Sequence, residues 1–224
     1  MRFLRAGARY TGIDLSPTAI DLARRRLELE NGAADLVHGS ITDLPFPDAS
    51  FDLVYSNGVI HHLAETQRAI TEFHRVLRPG GTVIVMVYHR GSFNFYVSIM
   101  TVRRLLASLL LVPGAERAIG RLTGERPDVI RGHRELLRAH GPRYLADPAL
   151  FLSHNTDGPG NPLSKVYSST GMRRAFSAFD DVDTQVRFLN LRAYPMGERL
   201  ERLPWVRRAG RRLGWHLWVR ATKD

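Results

Sequence analysis

The chain has 224 residues, is 44% hydrophobic, carries a formal charge of +10 and contains no cysteine. That length and apolar content can bury one core with an elaboration, and the missing cysteine excludes disulfides, thiolate metal sites and cysteine nucleophiles. Of 32 basic residues only Lys165 and Lys223 are lysine, and the charge is spread widely. This reads as ordinary solvated faces written in arginine, with nucleic acid or an anionic membrane surface as the alternative partner.

Residues 8–14 (ARYTGID) alternate and then turn apolar, as a strand with one buried face does. Ser16-Pro17 follows, a helix cap and first-turn proline. Ile20, Leu22, Ala23, Leu27 and Leu29 then form an apolar stripe over a helix at 17–30 that Asn31-Gly32 ends. A short strand at 34–38 leads into a loop from Gly39 to Ser50, where Pro45 and Pro47 bar regular structure. A strand at 51–57 and a helix at 65–77 come next, and Pro79-Gly80-Gly81 reads as the turn before a strand at 82–88. That last strand (TVIVMVY) is apolar on both faces, as a sheet covered on both sides requires. The order implies right-handed parallel crossovers and an open α/β sheet.

After Gly91 the pattern changes. Residues 94–112 are strongly apolar apart from Arg103-Arg104, and a second helical stretch covers 128–140. The stretch HNTDGPGNPLSKVYS reads as a loop. Ser168 or Ser169 caps a helix to Phe179, a strand follows at 182–190, and a basic segment leads to the terminal strand WHLWVRA. Three divisions are expected: a Rossmann-like core at 1–90, a helical insertion with a lid-like loop at 91–167, and a closing helix and strand pair at 168–224. No charged leader with an apolar stretch and no 18-residue uncharged run is present. The expected location is therefore cytoplasmic, with peripheral membrane contact open.

Asp14 ends a strand and precedes a capped helix, at the edge where open α/β sheets bind ligands. A carboxylate there can accept both hydroxyls of a ribose; the alternative is a loop aspartate favoured by the helix dipole. Gly39-Ser40-Ile41 and Asn57-Gly58 place small polar turns at two further strand ends. His61, His62 and His89 are candidate general bases because imidazole titrates near neutrality. The competing reading is a packed pair at the start of a helix. No metal is expected, since adjacent histidines rarely converge on one ion and no third ligand is spaced nearby. Tyr88, His89 and Arg90 follow the fifth strand, where an acceptor would enter.

Taken together, the segments TGIDLSPTAIDLAR, GSITDLPFPDASFDLVYSNGVIHHL and ITEFHRVLRPGGTVIVMVY resemble class I S-adenosylmethionine-dependent methyltransferases of the methyltransferase-11 type. The resemblance implies a Rossmann-like, doubly wound, mostly parallel sheet with a C-terminal antiparallel hairpin, and S-adenosylmethionine as cofactor. It implies that Asp14 holds the ribose hydroxyls, Leu15 packs on the adenine and Ile41 offers its backbone N–H to that ring. Ser40 stands where the family often has aspartate, a softer contact because a hydroxyl accepts without charge. Asn57 would line the methionine end. The family's first strand and glycine-rich turn have no counterpart here, so the chain is expected to be an N-terminal truncation with impaired activity, its first strand missing between those carrying Asp14 and Asn57.

The expected function is methyl transfer to a small-molecule or lipid-like acceptor. Alternatives are a non-catalytic remnant or interaction protein, and an RNA-modifying enzyme. The latter ranks lower because no aromatic-and-basic RNA module accompanies the arginines. The apolar stretch 93–112 reads as a packed helix, a lid over an apolar acceptor, or an interfacial helix aided by Arg207, Arg208, Arg211 and Arg212.

Overall fold

A computed structural model describes residues 2–191, 197–200 and 202–224. A short helix, α1 (Arg2–Arg5), precedes β1 (Thr11–Asp14), α2 (Pro17–Leu29), β2 (Asp35–His38), β3 (Phe51–Asn57), a 3₁₀ turn at Ile60–His62, α3 (Thr66–Val76) and β4 (Leu77–His89). The helical stretch that follows comprises a π-helical segment at Asn94–Arg103, α4 (Arg104–Leu109), α5 (Ala115–Thr123), α6 (Pro127–His140), α7 (Pro142–Ala146) and α8 (Pro148–Thr156). The chain closes with β5 (Val166–Tyr167), α9 (Ser169–Ala175), β6 (Asp180–Arg187), α10 (Gly197–Leu200), α11 (Pro204–Leu213) and β7 (His216–Thr222).

The architecture is mixed α/β with a largely parallel centre. β1 pairs with β2, and β4 with both β3 and β5, in parallel, while β7 runs antiparallel between β4 and β6. One open sheet was the expectation from the element order; the ladders instead form two. β1–β2 stand as a pair, separate from the sheet ordered β3-β4-β7-β6. Among the described residues no backbone ladder joins β1 to β3. Phe3 of α1 bridges them by side chain, its ring 6.4 Å from Tyr10 and 5.2 Å from Tyr55. Ile13 and Ile41 pack against the same core as β3 and β4, so the two sheets share one apolar interior.

That interior forms because β4 places Val83, Val85 and Val87 on one face with no exposure at all. Each such side chain contributes about 1.5–3 kcal/mol on burial. Ala69, Ile70, Phe73 and Val76 of α3 recur at helical spacing and cover that face, joined by Met172 and Phe176 from α9 and its end. A second cluster gathers Ile99, Ala107, Ile119, Ile130, Tyr144 and Phe151 from the helical stretch around Tyr88 and Trp215.

Several boundaries differ from the sequence reading for identifiable reasons. Pro79-Gly80-Gly81 is not a turn before the strand but a bulge within β4, whose ladder to β3 shifts between Phe51 and Leu53. Gly80 adopts φ +77°, and its N–H donates to the Lys223 carbonyl at 2.7 Å, so the tail of the chain supplies the pairing that glycine alone would not. Residues 94–103 wind as a π-helix rather than an α-helix. The expected loop at 154 begins only after Thr156, because α8 carries His154, Asn155 and Thr156. α9 ends at Ala175, before Phe179. β6 stops at Arg187, where Phe188 turns to φ +64°.

Gly214 fixes the approach of α11 to the sheet. A Cβ there would lie 2.2 Å from the Arg187 carbonyl oxygen and 2.3 Å from that of Gly210. Gly214→Ala is therefore expected to lose about 2–3 kcal/mol and roughly 5–10 °C in Tm. Gly160→Ala, whose Cβ meets nothing within 4 Å, should leave thermal unfolding unchanged.

Candidate functional site

The carboxyl ends of β1 and β2 lie side by side, with Asp14 in register with His38. Asp14 is exposed, and its Oδ1 accepts from the Ser16 N–H at 2.8 Å, which holds the carboxylate at the start of α2. Its second oxygen has no partner among the described residues. Leu15 beside it is 71% exposed, unusual for a leucine at the foot of a packed strand, while its carbonyl is held by His38 Nε2 at 2.9 Å. The Ser40 hydroxyl is engaged with the Thr42 hydroxyl at 2.7 Å and accepts from the Thr42 N–H, so it is spent in a local turn. Ile41 packs its side chain on the core, and its N–H has no partner among the described residues.

This loop is held from below by Arg75, a residue the sequence reading did not single out. Its guanidinium donates to the carbonyls of Leu44 and Phe46 at 2.9 and 2.8 Å, and to Asp48 and Glu72. Glu72 in turn accepts from the Leu44 N–H. The Arg75 hydrogen bond is the leading cause that holds the Glu72 carboxyl below its ordinary range. Asn57 ends β3 on the neighbouring sheet and is exposed. Asp14, Leu15, Ser40 and Ile41 thus share one edge, with Asn57 across the gap between the sheets.

Beyond β3 the three candidate histidines separate. His61 is fully buried, and neither ring nitrogen has a hydrogen-bond partner among the described residues. Its ring lies 3.9 Å from that of Tyr88. His89 turns under the end of β7, its Nδ1 3.1 Å from the Gly214 carbonyl. Only His62 reaches an exposed carboxylate, with Nε2 3.4 Å from Asp157 Oδ2. Its Nδ1 sits 2.8 Å from the Leu163 carbonyl, which can only accept, so Nδ1 carries a proton toward it. Asp157 is fixed by the Tyr88 hydroxyl, which donates at 2.9 and 3.0 Å to its two oxygens. Burial and this carboxylate push the Tyr88 hydroxyl well above the usual phenol range.

Asp157 is the group that spacing along the chain did not disclose. Its oxygen and the nitrogens of His61 and His62 lie within 4.8 Å of one another. The segment that delivers it is bonded down: Lys165 N–H donates to the His61 carbonyl at 3.0 Å, and Lys165 Nζ to the Ala64 carbonyl at 2.7 Å. Asn161 donates to Ser164 at 2.8 Å. Nδ1 of His62 is thus committed to the Leu163 carbonyl, and Nε2 faces a carboxylate that the Tyr88 hydroxyl holds in place. Arg90 is exposed and stands apart from this cluster.

A family model described as a methyltransferase domain matches residues 1–85. Malonyl-[acyl-carrier protein] O-methyltransferase of Serratia marcescens is 35% identical over 88 residues, which is 39% of this chain and 33% of that protein. Demethylmenaquinone methyltransferase of Tropheryma whipplei is 39% identical over 82 residues, 36% of this chain and 33% of that one. The chain thus spans about a third of the length of these curated relatives. Among solved structures, a chain of the complex between the Haloferax volcanii Trm112 methyltransferase activator and the putative methyltransferase aligns over all of this chain and 76% of its own, with TM-score 0.55 and 17% identity. That likeness shows a shared Rossmann-like fold. No helix among the described residues is long and apolar enough to cross a membrane.

Burial pushes the His61 imidazole from its ordinary 6.5 down to about 3, with His62 and His216 adding to the effect. Between those two values the unfolded chain takes a proton that folded His61 refuses, so stability falls as pH drops through that window. His61→Phe should remove this contribution. Urea unfolding at pH 7.5 and 4.5 should show the variant gaining about 2 kcal/mol on the parent in acid; a pH-independent difference would contradict the assignment.

Proposed function

We propose that this chain, a class I methyltransferase by its N-terminal sequence and by its fold, binds S-adenosylmethionine and methylates a small-molecule or lipid-like acceptor. The observation that carries the reading is the conjunction at one sheet edge of a free carboxylate oxygen on Asp14, a largely exposed Leu15 and an unpartnered Ile41 N–H. Each is open to a ligand and each matches a part of an adenosine. Asp14 accepts from the ribose hydroxyls, Leu15 covers one face of the adenine, and the Ile41 N–H donates to a ring nitrogen. Ser40 contributes less, because its hydroxyl already serves Thr42. Asn57 lines the methionine side from β3.

Bound there, the cofactor supplies a methyl group already activated on a sulfonium, so the chain's own task is largely to position and desolvate. Where the acceptor holds a proton, His62 takes it at Nε2 and Asp157 stabilises the resulting imidazolium, with Tyr88 fixing the carboxylate. His61 supports this group by packing on His62 and Tyr88. Acceptors in the names of two relatives, malonyl-acyl carrier protein and demethylmenaquinone, favour the small-molecule or lipid-like class.

Calorimetric titration separates the roles. Asp14→Ala should weaken S-adenosylmethionine binding by roughly 10- to 100-fold, the loss of charge-assisted hydrogen bonds, whereas His62→Ala should leave it unchanged. With radiolabelled cofactor and a lipid and metabolite extract as acceptor source, His62→Ala should lower product formation by about 10²–10⁴-fold. Unaltered cofactor affinity in Asp14→Ala would overturn the cofactor assignment, and unaltered turnover in His62→Ala the proton assignment.

A further inference from the structure

We propose that the helical stretch between β4 and β5 holds a binding site for a small amphiphile, an apolar chain or ring ending in a single carboxylate. The site is independent of the methyl-transfer reading: its lining runs from Ser98 to Asn155 and includes no residue of the cofactor edge. A cavity of about 140 Å³ lies between α4, α5 and α6. Leu106, Ala107, Leu110, Ile119 and Ile130 make its walls apolar. Its size matches the roughly 150 Å³ engineered cavities that stay dry and take up benzene, so a ring or a short run of methylenes fits.

The polar part of the lining sets two donors, Arg103 and His133, apart from one carboxylate, Glu125. The Tyr144 hydroxyl accepts from Asn155 Nδ2 at 3.1 Å and lies 2.7 Å from His133 Nδ1. Tyr144 has no other acceptor among the described residues, so its proton goes to His133 Nδ1. His133 must then carry its own proton on Nε2, an N–H that no group among the described residues takes up. Burial holds this ring neutral, its pKa pushed down to about 4, with Arg103 adding to the effect. Arg103 itself is half-buried, and its one side-chain hydrogen bond among the described residues is a long 3.4 Å contact to the Asn155 carbonyl. No carboxylate lies within ion-pairing distance of it among the described residues. Glu125, on the turn between α5 and α6, is the cavity's one carboxylate and is not paired with Arg103.

An unpaired guanidinium and a free imidazole N–H beside an apolar void call for an acceptor of negative charge at one end of an apolar body. An amine drawn to Glu125, or a neutral alcohol, is the competing occupant, and three probes of equal length distinguish them. Octanoate, octanol and octylamine are titrated calorimetrically into the full chain below their aggregation concentrations. Octanoate is expected to bind with unit stoichiometry and at least 10-fold more tightly than either. Arg103→Gln should remove that preference while leaving octanol affinity unchanged. Ala107→Trp, which fills the void, should weaken octanoate at least 10-fold, with thermal unfolding to verify that the variant folds. Failure of octanoate to saturate, equal or tighter binding of octanol or octylamine, or a preference that survives Arg103→Gln would each overturn the proposal.

Discussion

Tyr88 is the joint on which the molecule depends. It stands at the carboxyl end of the most buried strand, between two apolar cores that would otherwise be separate. On one side β4 carries Val83, Val85 and Val87 into the sheet core. On the other, the Tyr88 ring stacks on Trp215 at 4.3 Å and joins the cluster built from the helical stretch. Its edge covers His61, and its hydroxyl fixes Asp157. An aromatic ring with one polar handle suits such a place, since the body packs while the tip finds its acceptor. Packing and chemistry are thereby coupled: the contact that closes the core also sets the carboxylate opposite His62.

The edge proposed for the cofactor is built by a different device. β1 and β2 hold Asp14 and Gly39 at adjacent strand ends, but the loop after β2 has no secondary structure to shape it. Arg75 replaces that structure with a set of charge-assisted hydrogen bonds to Leu44, Phe46 and Asp48. Those bonds are made from α3, an element anchored in the core, so the position of Ile41 follows from the packing of Phe73 and Val76. Between β1 and β3 the connection is by side chains, with Phe3 against Tyr10 and Tyr55, rather than by a ladder.

Much of this was legible in the sequence where a local pattern carried it. Ser16-Pro17 and the spacing of Ile20, Ala23 and Leu27 define α2, although Leu22 and Leu29 of the expected stripe are exposed, and the strand expected at 51–57 is β3. What failed was pattern whose meaning is set at long range. Pro79-Gly80-Gly81 has turn chemistry, yet Lys223 pairs with it from the far end of the chain and makes it a bulge. α8 reads PALFLSHNT, apolar without a helical period because it is surrounded, so from sequence alone its last turn reads as loop. Asp157 lies at the end of that helix, about a hundred residues from His62, and no spacing rule links the two. The histidine pair could be read as titratable groups, but only burial distinguishes the sealed ring of His61 from the accessible edge of His62.

The central claim is that one edge of the β1–β2 sheet receives an adenosine whose methionine arm points toward β3 and the His62–Asp157 pair. A crystal structure of the chain with S-adenosylhomocysteine tests it most directly. The account predicts ribose hydroxyls on the Asp14 carboxylate, the adenine between Leu15 and Ile41 with a hydrogen bond from the Ile41 N–H, and the sulfur on the side facing His62. A nucleoside bound elsewhere, or one that leaves Asp14 and Ile41 uncontacted, would contradict it.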